Sequence, residues 1–254
     1  QVLAQIVGPT IGIAIRDAFG YRALFFIIAA STLLAAVVLQ TAFHYETVVG
    51  HSSEGRHSLS FSSLIAKECI FYSLIAGLFS MGNGIVNSFL VLLGESSKIA
   101  QISLFFSVNA IVLFVLRLLV GKVIDRANLL FIVNLSLLAG AGSMILIGKS
   151  GILVPILIAA AIKAFGNVGG QISLQSACVK RVDAARIGVA TSTYYIGADI
   201  GQGLGPIWGG KVAEQFGYEG VFFCMAGFFL LGVICFTAYQ IHLNRKTASE
   251  TVIQ

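Results

Sequence analysis

Lys163 and Asp199 are the charges that lie deepest in apolar sequence: thirteen uncharged residues separate Lys163 from Lys149, and twelve separate Asp199 from Arg186. At about 1.5 Å rise per helical residue, both spacings put the charge near the middle of a hydrocarbon layer about 30 Å thick. An isolated ion at that depth is costly, so such residues pair, face a wet cavity or titrate. The chemistry open to them is recognition of a charged solute or transfer of a proton, with Asp199 changing its protonation state. A static ion pair tying two helices together fits the same spacing.

Polar residues recur around these charges at helical intervals. Lys163, Asn167, Gln171 and Gln175 follow one another at steps of four, and Thr191, Tyr195, Asp199 and Gln202 at steps of four and three. Ser80, Asn83 and Asn87 share one face of an earlier run, while Ser103, Ser107 and Asn109 mark the next. A polar helix face inside a membrane needs water or a partner, because unmade hydrogen bonds in hydrocarbon are expensive. Asn83, Asn87, Asn109, Asn167, Gln171, Tyr195 and Gln202 are therefore the candidate lining of a solute cavity. Interhelical hydrogen bonding is the other role open to each amide.

The elements that must hold these residues are membrane helices. Hydrophobic residues make up 57% of the chain and charged residues only 11%, against about 25% charged in an ordinary soluble domain. The mean hydropathy is +0.93. Eight apolar segments follow, at residues 1–15, 21–43, 61–93, 99–120, 128–148, 151–178, 187–211 and 218–241, and most approach the roughly 20 residues that span a bilayer. The expectation is an all-α polytopic bundle divided into residues 1–43, a polar linker at 44–60 and a larger unit at 61–254. With that linker cytoplasmic, Arg56, Lys67, Arg117, Lys122, Arg126, Lys180, Arg181, Arg186, Arg245 and Lys246 lie inside, against Arg16, Arg22, Lys98, Lys149 and Lys211 outside. Ten basic residues against five places both linker and carboxyl tail in the cytoplasm.

Several function classes are disfavoured. The basic residues form no stripe with interleaved aromatics, which argues against a nucleic-acid partner. The four cysteines and four histidines show no metal-ligand spacing, so neither metal nor cofactor is expected. Buried thiols are the reading for Cys69, Cys178, Cys224 and Cys235. No nucleophile and base pattern points to an enzyme.

The chain also repeats itself. Residues 5–26 align with residues 202–223 at an offset of 197, with identities at Gln5/Gln202, Gly8/Gly205, Pro9/Pro206, Gly12/Gly209, Phe19/Phe216, Gly20/Gly217, Tyr21/Tyr218, Phe25/Phe222 and Phe26/Phe223. Counted in segments, the copies are six helices apart and run in the same direction, as a parallel six-helix repeat requires. The small residues and Pro206 suit close helix approach and a bend.

These features resemble the major facilitator superfamily, whose members join two six-helix halves through a cytoplasmic linker. Gly8-Pro9-x-x-Gly12 is similar to the motif on helix five of its drug/proton-antiporter branch, and Gly201-x-x-x-Gly205-Pro206-x-x-Gly209 is the echo on helix eleven. Arg117-x-x-x-Gly121-x-x-x-Asp125-Arg126 is similar to the family's cytoplasmic gating loop. The resemblance implies that the segments are helices five to twelve, preceded by further helices of the same protein with which they would enclose the cavity. It implies a multi-pass protein of the plasma membrane that exports a small solute against protons by alternating access. A solute importer or facilitator on the same fold, and a channel, receptor or assembly subunit without coupled turnover, are the competing readings. The expected partners are a small-molecule substrate, protons, the lipid bilayer and the missing amino-terminal helices.

Overall fold

A computed structural model describes residues 2–42, 65–124 and 128–251. The chain divides into two units, residues 1–60 and 61–254. The linker at 44–60 lies outside the described residues, as do Asp125 and Arg126 of the gating loop.

Among the described residues the first unit is one helical element, α1 (Val2–Ala42), interrupted at Gly20, where φ is 79° and ψ is 172°. Its stretch Ala18–Thr41 is apolar enough to cross a bilayer. The serine and threonine hydroxyls within that stretch are bonded inside the helix, Ser31 and Thr32 to the Ile28 carbonyl at 2.9 Å and Thr41 to the Val37 carbonyl at 2.9 Å. A polar side chain that turns back on its own backbone can thus sit in lipid without an unmade bond.

The second unit contains α2 (Ile70–Ser96), α3 (Leu104–Ile124), α4 (Leu129–Lys149), α5 (Leu153–Val179) and α6 (Ile187–Thr251). Every described element is helical, as the absence of water in a bilayer demands. Four of the five are long and apolar enough to span; α3 carries a shorter apolar stretch, Leu104–Leu119.

Boundaries differ from the hydropathy reading: the segments expected at 1–15 and 21–43 are the single element α1, and α2 starts at Ile70 rather than at residue 61. α3 starts at Leu104 rather than at residue 99, because Lys98 (φ 55°) and Gln101 (φ 60°) form a tight left-handed connection. That connection tucks Ile102 over Gly94, where a Cβ would lie 2.5 Å from the isoleucine Cγ2. The segments expected at 187–211 and 218–241 are one element whose dihedrals break solely at Gly217, with φ 72° and ψ 175°. Trp208 and Phe228, about 30 Å apart along a straight helix, have ring centroids 5.0 Å apart. The limbs of α6 therefore fold back on each other at Gly217 as a hairpin.

The α2/α6 contact is built from small residues. A Cβ at Gly77 would lie 2.7 Å from the Gly197 carbonyl oxygen, one at Gly205 2.6 Å from the Met81 oxygen, and one at Gly84 2.5 Å from the Gln202 oxygen. Gly201 abuts the Gly77 carbonyl still more closely. Ser73 Oγ donates to the Thr193 carbonyl at 2.6 Å. Lipid offers no hydrophobic drive for helix association, so this backbone-on-backbone packing is what holds the pair. The partners advance together along both helices, so α2 and the first limb of α6 are parallel. The helix continues through Pro206; Gly205, Pro206 and Gly209 form a packed surface, and the reversal comes at Gly217. α4 packs between α5 and α6, with Asn134 Nδ2 donating to Thr237 Oγ1 at 2.8 Å.

Cys69 and Cys178 are buried as expected. Cys224 is half-buried and Cys235 exposed, because the second limb of α6 turns part of its circumference outward.

Candidate functional site

The polar row of α5 meets α2 and α6 at separate heights. Asn83 of α2 accepts two hydrogen bonds at its Oδ1, from Lys163 Nζ at 2.5 Å and from Asn167 Nδ2 at 2.9 Å. Lys163 is 7% exposed and Asn167 9%. Two turns further along α5, Tyr194 OH donates to the Gln171 carbonyl at 3.0 Å, and Gln175 Nε2 donates to Tyr195 OH at 3.4 Å. The rows on α5 and α6 meet at Gln175 and Tyr195.

Lys163 and Asp199 are not partners, which corrects the pairing that their equal depth suggested. Phe79 meets Gly170 and Cys69 Sγ donates to the Cys178 carbonyl at 3.5 Å, so α2 and α5 are antiparallel. Taken with the parallel α2/α6 register, the level of Lys163 on α6 is near Ile207, whereas Asp199 is level with Gln171. Eight residues separate those levels, about 12 Å at helical rise. Counting residues from the nearest terminal charge measures depth from opposite ends, and it missed this offset. Asp199 is exposed, on the same side of α6 as Tyr195 and Gln202, which are exposed too.

Other expected site residues separate in role. Asn109 Nδ2 donates to the Ala160 carbonyl at 2.9 Å, tying α3 to α5; this is the interhelical role weighed for such amides. Asn87 is exposed one turn beyond Asn83. Arg117 is exposed near the end of α3, and Gly121 lies in the last turn of that helix. A pairing of Arg117 with Asp125 falls outside the described residues. Gly8 and Pro9 lie in the first half of α1 and Gly12 has open space around it, while Gly205 and Gly209 meet Met81 and Phe89.

A cluster at the opposite end of the second unit from Gly217 was not foreseen. Gln240 Nε2 donates to Tyr72 OH at 3.2 Å, Arg181 stands 4.9 Å over the Tyr72 ring, and Phe71 stacks on Tyr239 at 3.8 Å. Arg186 reaches Glu68 at 4.0 Å beside it. This closes the end of the bundle where α2, α5 and both limbs of α6 converge. A buried glutamine in an otherwise apolar final segment was the available signal.

Membrane-length helices, small-residue packing and polar rows confined to particular faces define a polytopic membrane protein with a transporter-like interior. The sequence model of the Major Facilitator Superfamily matches residues 1–197 and, in a second match, residues 72–251. The chain belongs to the major facilitator superfamily, a family of membrane transporters that handle small-molecule substrates. No curated protein and no solved structure matches it.

Proposed function

We propose that the protein exports a small solute in exchange for protons, by alternating access, with Asp199 carrying the exchanged proton. The observation that carries this reading is the polar surface shared by α2, α5 and the first limb of α6. There Lys163 and Asn167 meet Asn83 and, further along α5, the Gln171 carbonyl and the Gln175 side chain meet Tyr194 and Tyr195, whereas on α4 Ser143 bonds within its own helix and Asn134 bonds to Thr237. Asp199 continues that surface as an exposed carboxylate at mid-helix, open to exchange with a wet path. The two Gly-Pro copies support the antiporter branch of the family, and helix movement around them would change which side the cavity opens to. The gating stretch Arg117 to Arg126 would hold the cytoplasmic end closed in one state.

The membrane is inferred to be the plasma membrane, with the Lys67 end of the second unit in the cytoplasm. Lys67, Lys180, Arg181, Arg186 and Arg245 gather at that end, while Lys98, Lys149 and Lys211 mark the other.

The test is reconstitution into proteoliposomes containing a pH-sensitive dye. A solute gradient should drive proton movement through the wild-type protein. Asp199→Asn should abolish that proton flux while leaving gradient-independent solute counterflow measurable. Unchanged proton flux in Asp199→Asn would remove Asp199 from the coupling step.

A further inference from the structure

Lys163 is a buried cation with no counter-ion among the described residues of the second unit. Its described partner is the neutral Asn83, at 2.5 Å. The remaining acidic side chains described in this unit, Glu68, Glu95, Asp183, Glu214 and Glu219, sit at helix ends, and Asp199 is two turns away. Removing an ammonium from water without an opposite charge is among the more expensive arrangements a protein can hold. Such a group calls for an ion from elsewhere.

The hydrogen-bond polarity of the cluster says what kind of ion. Lysine only donates, so Asn83 must turn its Oδ1 toward Lys163, and that oxygen also takes the Asn167 N–H. Its acceptor is thereby used up. What remains for a ligand is chiefly donors, the Nδ2 group of Asn83, a second N–H on Asn167 and the unused protons of Lys163, with the Asn167 Oδ1 as the acceptor beside them. Asn83 is only half-buried and Asn87 beyond it is exposed, so the donors have a route outward. Three sets of donors and one positive charge suit a monoanion with two acceptor oxygens. A phosphate monoester, carrying about −1.5 to −2 at neutral pH, would exceed the single charge available.

We propose that Lys163, Asn83 and Asn167 form the headgroup subsite for a carboxylate-bearing organic anion, which supplies a counter-ion that the described residues do not give the Lys163 ammonium. The proposal names the substrate class of the transporter described above and rests on that reading for the anion's passage across the membrane. Binding itself needs no gradient.

The test is therefore made on the purified full chain in detergent, by thermal stabilisation with matched probes: benzoate, benzamide and benzylamine, then octanoate, octanamide and octylamine. The carboxylates should stabilise the wild-type protein more than their amides, and the amines least. Lys163→Gln should weaken carboxylate binding roughly ten- to hundredfold, the loss expected for a hydrogen bond to a charged group. Should Lys163→Gln fail to fold, Asn83→Asp decides the matter. That nearly isosteric change builds a carboxylate beside Lys163, so the unliganded protein should melt higher than wild type while losing its response to benzoate and octanoate.

Equal stabilisation by carboxylates and amides, preference for the amines, or an undiminished carboxylate response in Asn83→Asp would each overturn the proposal. Asn83→Asp melting below wild type would overturn its premise. Proton-coupled transport that fails while carboxylate selectivity persists would count against the coupling reading alone. Intact transport without carboxylate selectivity would count against this subsite alone.

Discussion

At the scale of single residues, glycine decides more of this structure than the charges do. Gly201 and Gly203 lie two positions apart on α6 and have opposite surroundings: the first abuts the Gly77 backbone, while nothing lies within 4 Å of the second. Alanine is the better helix former in both places, yet at position 201 its methyl group would push two helices apart. Gly201→Ala should therefore destabilise the purified protein by about 1–3 kcal/mol, the usual cost of overpacking, and lower its melting temperature. Gly203→Ala should be neutral or slightly stabilising. Equal melting temperatures for the two variants would show that the α2/α6 interface tolerates separation. Counting along one helix made the mid-helix placement of Lys163 and Asp199 legible. It left the partner of Lys163 hidden, since Asn83 is brought to it by the register of α2 against α5, which is set where Gly170 receives Phe79.

At the scale of elements, the internal repeat has a conformational meaning. Gly20 and Gly217 are equivalent in the 197-residue alignment, and both hold a positive φ with ψ near 175°. That region is essentially closed to residues bearing a Cβ, so the conserved spacing encodes a one-residue helix reversal twice. Neither glycine has a neighbour within 4 Å of its would-be Cβ, so backbone strain is the sole obstacle to a side chain. Gly217→Ala should cost about 1–3 kcal/mol, read as a lowered melting temperature. Gly210→Ala, also with open space but ordinary helical dihedrals, should not. A Gly217→Ala protein as stable as wild type would mean that the reversal relaxes elsewhere in α6. Apolar runs alone suggested gaps at 16–20 and 212–217, because charges and small residues there lower the hydropathy. Helix geometry needs only the glycine, and the flanking residues remain helical. The connection before α3 was illegible for the converse reason: Ile99 and Ile102 are apolar, yet they cap the packing of a turn.

At the scale of the whole molecule, the fold class was legible because a bilayer leaves an apolar chain so few options. The order in which helices touch was not, since it follows from small-residue surfaces rather than from hydropathy. Sidedness is the property that links the two, because the charge distribution and the helix order must agree on one orientation. In the second unit they agree: α2 begins, α5 ends and α6 begins at the end rich in Lys67, Lys180, Arg181 and Arg186, while the Gly217 turn and the Gly148 end of α4 meet at the other. Single cysteines placed at Lys98 and Lys149, in a background with the four native cysteines replaced, should react with a membrane-impermeant maleimide on intact cells. Cysteines at Lys67 and Lys180 should react only after permeabilisation. The reverse pattern would invert the protein, placing the Tyr72 and Gln240 closure outside and turning the proposed export into uptake. Labelling of Lys98 and Lys180 from the same side would be more serious, for α2 and α5 run antiparallel and their carboxyl-terminal ends cannot share a face of the membrane.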